Sequence, residues 1–449
     1  MQTDMTVGKP MKMILDFTIP VFIGNVFQQF YNMADAIIVG KFVGTKGLAA
    51  VGSTGTIMFL IIGFLTGLTA GFTVLTSQKF GAGKMDEMRQ SVGNAALLSI
   101  IISVIMTAVS MVGMHSLLTL MHTPEDIFQD AYTYIMIICG GIFAQVLYNI
   151  LASILRALGN SKTPLYFLIL AALLNIVLDL TFIIVFHMGV AGAAWATITA
   201  QGVSGVLCLI YIIKYVPELR LKADDWRFRS EIAKKEILVG IPMGLQYSIT
   251  AIGSVILQAS VNTLGSMAVA AVAAGSKVTL FFCCPFDALG GTMATYAGQN
   301  VGAGKLDRIK AGLKSSSIIG CIYAVIAFLI LVFFSDKIAL LFMDAGETET
   351  IRQVSMFLIA NSAFYIPLVF VNVVRFTIQG MGYSTFAILA GVFEMAARGL
   401  AGLVLVPAFG YIAACFGSPL AWIFADIFLF PAFFHCLKTM KRELKEAKQ

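Results

Sequence analysis

Charged residues are scarce in this chain, in which only 12% of the 449 residues are Asp, Glu, Lys or Arg and 59% are hydrophobic. A soluble domain has about a quarter of its residues charged, so this scarcity excludes an ordinary water-soluble fold. In a bilayer the backbone must satisfy its own hydrogen bonds, which favours helices. We therefore expect an all-α integral membrane protein.

Other absences narrow the function. The seven cysteines lie mostly inside apolar stretches and lack the spacing of a disulfide or zinc framework. The loops offer no nucleophile, general base or metal cluster, so we expect neither an enzyme nor a cofactor. The net charge of +6 reflects the loops of a membrane protein, and we expect no nucleic-acid partner. We expect the protein to act as a monomer. We also expect its first apolar stretch to be retained, because that stretch is too long for a signal peptide.

Twelve apolar stretches reach the length of about 20 residues that a membrane helix needs. The first lies near residues 13–40 and the last near 411–437. If both termini are cytoplasmic, 24 of the 30 lysine and arginine residues fall on the cytoplasmic side, in agreement with the positive-inside rule. The sequence predicts a multi-pass protein of the cytoplasmic membrane with both termini inside the cell.

The two halves of the chain repeat one pattern. Ile19-Pro20 recurs as Ile241-Pro242, and the loop from Gly81 to Lys84 recurs as Gly302 to Lys305, both with the sequence Gly-Ala-Gly-Lys. We interpret both loops as tight turns and not as phosphate sites, because they lack the Walker spacing. Six spans per copy predict parallel repeats. The predicted parts are an N-lobe (1–216, helices 1–6), a cytoplasmic connector (217–235) and a C-lobe (236–449, helices 7–12).

Charges inside spans mark candidate sites, because each costs about 2.5 to 3.5 kcal/mol at mid-bilayer. Asn175 and Asp179 in helix 5 are four residues apart and share one helix face. The matching positions in helix 11 are Glu394 and Arg398, so the second lobe carries its own counter-ion. The first lobe, with Asp35 in helix 1, has no basic residue in its spans. This difference predicts a mobile cation, a proton or a hard metal ion, at a coupled carboxylate pair.

Structural roles are the alternatives. A lone intramembrane carboxylate such as Asp179 can serve only as a hydrogen-bond partner of a neighbouring helix. For Glu394 and Arg398 we favour a structural ion pair. Asp287 and Asp426 either line a cleft or lie close to a membrane interface, and both readings stay open.

Four motifs in order resemble the multidrug and toxic compound extrusion (MATE) transporters over almost the whole chain. They are the run Gln-Gln-Phe-Tyr-Asn-Met-Ala-Asp at 28–35, the paired Gln-x-x-Gly-Ala-Gly loops, Arg156-Ala-Leu-Gly159, and Asn175 to Asp179. The resemblance implies twelve transmembrane helices in two pseudo-symmetric six-helix lobes that form a V around a central cleft. It also implies alternating access, in which export is exchanged for inward Na⁺ or H⁺ movement.

The resemblance further implies particular site residues. Prokaryotic members with an N-lobe cation site use an Asp of helix 1, an Asn and an Asp of helix 5 and a hydroxyl of helix 6. These fall here on Asp35, Asn175, Asp179 and Thr197, where Na⁺ is possible. Pro20 matches the proline at which helix 1 of some members bends. Candidates for a polar site in the second lobe or the substrate cleft are Gln246, which stands where some relatives have a glutamate, Asp287, Glu394 and Arg398.

The function that follows is secondary active efflux of cationic or amphipathic organic solutes in exchange for H⁺ or Na⁺. The alternative is a flippase of lipid-linked oligosaccharides or lipids from the wider superfamily. Such flippases usually carry several basic residues in the cleft, and only Lys277 and Arg398 qualify here.

Overall fold

The computed structural model describes residues 3–342 and 346–446. These residues are almost entirely helical, because long apolar segments satisfy their backbone groups internally. The α-helices are α1 (Pro10–Phe42), α2 (Thr45–Gly81), α3 (Met85–Leu120), α4 (Glu125–Gly140), α5 (Ile142–Ala157), α6 (Lys162–Leu180), α7 (Gly189–Tyr215), α8 (Ser230–Asn262), α9 (Ser266–Gly302), α10 (Leu306–Ala339), α11 (Thr348–Ser362), α12 (Tyr365–Gly380), α13 (Ser384–Leu400), α14 (Val406–Phe409), α15 (Tyr411–Cys415) and α16 (Gly417–Glu446).

The membrane spans agree with the hydropathy of the sequence. Ten helices of the described chain are individually long and apolar enough to cross a bilayer. Two further spans are each made of two helices, α4 with α5 bent by 47° and α11 with α12 bent by 49°. Counting each bent pair as one span gives twelve, and every predicted apolar stretch falls on one of them. The expected all-α membrane fold with twelve spans is therefore confirmed.

The helices form two compact units. The first contains Ile23–Gly244, and the second contains Met5–Phe22 together with the described chain from Leu245 onward. The contiguous lobes expected from the sequence would instead divide at 216 and 236. The compact units differ from them because the first part of α1 packs in the second unit and the first part of α8 packs in the first.

The first unit is held together by very close helix packing around α2. A Cβ added at Gly240 of α8 would lie 2.6 Å from a ring carbon of Phe72 and 3.1 Å from the carbonyl oxygen of Leu68. The connector also packs here, since the Asn94 side chain of α3 accepts a hydrogen bond from the Arg229 N–H at 2.8 Å. Glycine at the contact thus lets two backbones approach without a side chain between them.

The second unit encloses the short segment that precedes α1. Met5 is fully buried in its core, and its N–H donates to the side-chain oxygen of Gln299 at 2.8 Å. The Lys305 ammonium donates to the carbonyl oxygen of Thr6 at 2.9 Å. These bonds fix the start of α1 against the loop that follows α9.

The two Gly-Ala-Gly-Lys loops are tight turns, as predicted. Gly83 has φ 71° and Gly304 has φ 67°, a left-handed conformation that glycine adopts without steric cost. The Lys84 N–H donates to the Lys79 carbonyl oxygen, and the Lys305 N–H donates to that of Asn300. Each loop therefore ends one long helix and starts the next within a few residues.

Candidate functional site

The structure brings the four predicted cation ligands together in the first unit. Asn175 and Asp179, one turn apart on α6, are completely buried, and Thr197 of α7 is almost completely buried. Asp35, on the second part of α1, is partly buried. Three helices thus contribute carboxyl, amide and hydroxyl oxygens to one site.

The carboxyl groups of Asp35 and Asp179 lie close enough to share a hydrogen bond. A hydrogen bond between two carboxyl groups requires a proton on one of them, because ionised carboxylates are acceptors only. Two ionised carboxylates this close to each other would repel strongly. A positive charge near their oxygens would relieve that repulsion.

The Asn175 amide links this pair to α7. With one amide orientation its Nδ2 donates to Thr197 Oγ1 at 3.3 Å. With the amide reversed, Nδ2 donates to Asp179 Oδ2 at 2.9 Å and Oδ1 accepts from the Thr197 N–H at 3.2 Å. The reversed orientation satisfies both amide atoms and is the one we adopt. Asn175 then supports the carboxylate of Asp179 directly.

Two tyrosines complete the site, and the sequence analysis did not single them out as site residues. The Tyr31 hydroxyl donates to Thr197 Oγ1 at 3.5 Å, and Tyr31 lies one helical turn before Asp35, a spacing that could have revealed it. Tyr134 of α4 is buried within electrostatic range of both carboxyl groups. No local pattern marks Tyr134, because its position depends on how α4 packs.

The site has no built-in counter-ion. One oxygen of each carboxyl group, Oδ1 of Asp35 and Oδ1 of Asp179, is buried without a hydrogen-bond partner. Among residues 3–342 and 346–446, no lysine, arginine or histidine forms a salt bridge with either group. The surrounding wall is apolar and includes Ile38, Val39 and Ile183. An unpaired charge in such surroundings is costly.

The donor set suits a proton or a hard monovalent cation better than a transition metal. The described residues contain no group of three or more His, Cys, Asp or Glu side chains that could hold a metal. Carboxylate, amide and hydroxyl oxygens are ligands of hard cations. Na⁺ fits this chemistry, because it needs several oxygens and little negative charge.

In the second unit, Glu394 is neutralised by the protein itself. The Arg375 guanidinium pairs directly with Glu394, and Arg398 Nη1 lies 3.4 Å from the other carboxylate oxygen. All three side chains are buried. Arg375 lies within α12, and its guanidinium contacts Glu394 of α13.

The other polar candidates are dispersed in the second unit. Gln246 is buried, and its side-chain oxygen accepts from the Gln379 amide. Asp426 is buried close to Arg375 and Glu394, with Oδ1 unpartnered. Asp287 is exposed on α9. Gln246, Glu394 and Arg398 thus contact protein groups, and Asp287 is the one exposed residue among these four.

Pro20, the expected bend in helix 1, lies inside α1. The helix runs from Pro10 to Phe42 as one element with Pro20 in its interior. Proline removes one backbone donor and weakens the helix at that turn. Pro20 also lies two residues before Phe22, where the part of α1 that belongs to the second unit ends.

Comparison with known proteins identifies the family. The MatE family profile matches residues 20–181 and 242–404, one match in each half of the chain. The Bacillus subtilis protein described as probable multidrug resistance protein YpnP is 33% identical over 308 residues, which are 68% of each chain. The chain belongs to the MATE family. It is accordingly a multi-pass membrane protein from a family of multidrug efflux transporters, and the predicted duplication is matched by the double profile match.

A further relative and a solved structure are also similar to this chain. A protein of Shewanella oneidensis described as an FAD transporter is 25% identical over 367 residues, covering 80% of this chain and 79% of the relative. A crystal structure of a MATE protein in complex with MaL6 has a TM-score of 0.92 at 23% identity, covering 98% of this chain and 99% of the other. That agreement confirms the MATE fold.

Proposed function

We propose that this MATE protein is a secondary active antiporter that exports cationic or amphipathic organic solutes in exchange for H⁺ or Na⁺. The observation that supports it most directly is the contact between Asp35 and Asp179 in surroundings without a basic partner. The proposed location is the cytoplasmic membrane with both termini inside the cell, supported by the bias of basic residues to one side. The proposed acting unit is a monomer.

The site suits exchange because two cations compete for one negative charge. A proton or sodium ion bound between Asp35 and Asp179 removes the charge that would attract a cationic solute. Loading the coupling ion therefore lowers the affinity for the solute, and by reciprocity the solute disfavours the ion. One-for-one exchange of a monovalent cationic solute for H⁺ or Na⁺ moves no net charge across the membrane. The concentration gradient of the coupling ion then drives export, and each tenfold difference in ion concentration supplies about 1.4 kcal/mol.

The two coupling ions require different parts of the site. A proton needs only the carboxyl pair, whose two groups lie close enough to share it. A sodium ion also needs neutral oxygens. Thr197 Oγ1 would be one, and the Asn175 amide would supply its oxygen by turning to the orientation in which Nδ2 donates to Thr197 Oγ1. Na⁺ as the coupling ion is supported by two carboxyl oxygens that have no hydrogen-bond partner, Oδ1 of Asp35 and Oδ1 of Asp179.

The lipid flippase alternative has less support. A pyrophosphate-linked cargo would need free positive charge, but the Arg398 and Arg375 guanidinium groups both contact Glu394. Because the Shewanella relative is described as an FAD transporter, anionic organic solutes are a further substrate class to test. The buried pairing of both arginines with Glu394 argues against anionic solutes as substrates of this protein.

Transport into inverted vesicles tests the proposal. Vesicles that contain the protein should accumulate a fluorescent organic cation when a sodium or proton gradient is applied, and the two gradients should be applied separately. Accumulation that requires neither gradient would contradict antiport. Accumulation of a flavin nucleotide or lipid analogue, but of no cation, would replace the proposed substrate class.

A further inference from the structure

A second buried carboxyl group lies in the first unit, away from the site described above. Glu236 of α8 is 0% exposed, and Ser91 Oγ of α3 donates to its Oε1 at 2.8 Å. Ser91 Oγ also lies 2.9 Å from Thr76 Oγ1 of α2, and both hydroxyl residues are fully buried. A carboxyl group and two hydroxyls thus form one chain across three helices.

This carboxyl group has no counter-ion. Glu236 Oε2 is buried without a hydrogen-bond partner, and Glu236 is in no salt bridge of the described part of the chain. The charged groups on the elements packed around Glu236 pair with other residues or are exposed. On α2 and α3, Lys79 pairs with Glu87 and Arg89 pairs with Asp86. On the connector, Asp225 lies 3.9 Å from Arg89. The charged neighbours on α8 itself are exposed, namely Glu231, Lys234 and Lys235.

The helices pack closely on either side of Glu236. One turn after Glu236, Gly240 of α8 meets α2 so closely that a Cβ there would lie 2.6 Å from Phe72. Ala233, one turn before it, is buried in the cluster that also contains Phe72, Met88 and Val92. A charge on Glu236 would therefore be placed beside a tightly packed apolar cluster.

The duplicated half shows that the fold does not require a carboxyl group at this position. The offset of 222 that relates Pro242 to Pro20 places Glu236 opposite Ile14, which is fully buried in an apolar core. The same comparison places Gly312 opposite Ser91 and Ala297 opposite Thr76 at an offset of 221. The second half therefore has neither a carboxyl group nor a hydroxyl group at these three positions.

We propose that Glu236, with Ser91 and Thr76, is a proton-binding site separate from the Asp35 and Asp179 pair. Val51 and Met58, near the start of α2, pack against the wall of the cation site. Thr76 lies near the other end of α2, roughly 25 Å or more further along the helix axis. The two sites are therefore at opposite ends of the first unit, and in the orientation proposed from the basic residues the Glu236 site is the cytoplasmic one.

The bound proton has a mechanical consequence. With the proton in place, Glu236 is neutral and the contact between α8, α2 and α3 is a packed interior with one satisfied hydrogen bond. When the proton leaves, an uncompensated charge remains in the contact and weakens it. The proton occupancy of Glu236 thus sets how firmly the first part of α8 is held, and cytoplasmic pH controls that packing.

Infrared difference spectroscopy of the purified protein between acidic and alkaline pH tests the site without reference to transport. One component of the protonated carboxyl band should be lost from the difference spectrum in Glu236→Gln and persist in Glu231→Gln, a matched change at an exposed position of the same helix. It should also persist in the double variant Asp35→Asn, Asp179→Asn, which separates this proposal from that of antiport. An unchanged band in Glu236→Gln would overturn the proposal.

Hydrogen exchange supplies the second readout. After correction for intrinsic rates, amides of α8 between 233 and 244 should exchange at least about tenfold faster in the wild type at alkaline than at acidic pH. Glu236→Gln should make that rate independent of pH. If Glu236→Gln does not fold, Ser91→Ala serves instead, because losing its hydroxyl donor should alter the frequency of the Glu236 band. Equal pH dependence of exchange in the wild type and Glu236→Gln, or an unaltered band in Ser91→Ala, would refute the proposal.

Discussion

The two units of this MATE protein balance buried acidic charge in different ways. In the first, Asp35 and Asp179 contact each other and no basic side chain of the described chain pairs with them. In the second, Glu394 lies between Arg375 and Arg398. The first unit is therefore left with a negative charge that a mobile cation could neutralise, whereas Glu394 in the second unit is neutralised by the arginines beside it.

This difference is notable because the local backbone is the same in both units. A π-helical turn, Thr181–Val185, directly follows α6 just after Asp179, and another, Ala401–Leu405, directly follows α13 just after Arg398. Such turns widen a helix locally and occur often at functional sites. The two units thus share this backbone feature and differ in the side chains that surround their buried carboxyl groups.

The largest effect should come from removing the unpaired charge. We expect Asp35→Asn together with Asp179→Asn to lower ion-driven accumulation of an organic cation in inverted vesicles by more than about tenfold, because neither amide needs a counter-ion. Asp130→Asn, at an exposed position of α4, is the control and should transport normally. Normal transport by the double variant would remove both carboxyl groups from the mechanism.

The next largest effect should appear when the balanced unit is broken. Arg375→Ala leaves Glu394 with Arg398 alone, and breaking a buried ion pair costs about 3 to 5 kcal/mol of folding free energy. Thermal unfolding of the purified protein should show a clear loss of stability. Arg352→Ala, which removes an exposed pair with Glu349 at 3.3 Å, should cost less than about 1 kcal/mol. Equal losses in both variants would mean that burial does not strengthen the Glu394 pairing.

A moderate effect should distinguish the two coupling ions. Thr197→Val keeps the shape of the side chain and removes the hydroxyl oxygen that a sodium ion would need. If Na⁺ is the coupling ion, the sodium concentration for half-maximal transport should rise about tenfold, equivalent to about 1.4 kcal/mol. A proton-coupled protein should show a much smaller change. Identical sodium dependence in the variant and the wild type would argue against Thr197 as a ligand.

The smallest effect should follow Gln246→Glu in the second unit. The substitution keeps an acceptor oxygen for the Gln379 amide, and Glu394 remains neutralised by its arginines. Ion-driven transport should therefore change by less than about tenfold and keep a single dependence on the ion concentration. A second, distinct ion dependence would show that one carboxylate is enough to open a site in this unit.

The architecture could be predicted from the sequence because it depends on local properties. Apolar length predicted the twelve spans, and the four-residue spacing of Asn175 and Asp179 placed both on one face. Asp35 was predicted from its charge inside a span and Thr197 from the family resemblance, and the structure places both beside that face. The bends inside two spans were not predicted, since a hydropathy window does not register a break between two apolar helices.

Contacts between helices were the part that could not be predicted. The spacing of Glu394 and Arg398 predicts their ion pair, but only the packing of α12 on α13 shows that Arg375 is a second partner of Glu394. Glu236 starts the seventh apolar stretch, where a charge usually belongs to the membrane surface, yet α2 and α3 bury it completely. Tyr134 carries no local signal at all. Each of these positions depends on residues distant in sequence.

Direct binding of the coupling ion to the purified protein tests the central claim. Uptake of radioactive sodium and release of protons on adding sodium should be measured for the wild type, for Asp35→Asn with Asp179→Asn, and for Glu394→Gln. We predict binding of one cation, as sodium or as a proton that sodium displaces, in the wild type and Glu394→Gln, and its loss in the double variant. Undiminished binding in the double variant, or its loss in Glu394→Gln alone, would contradict the account.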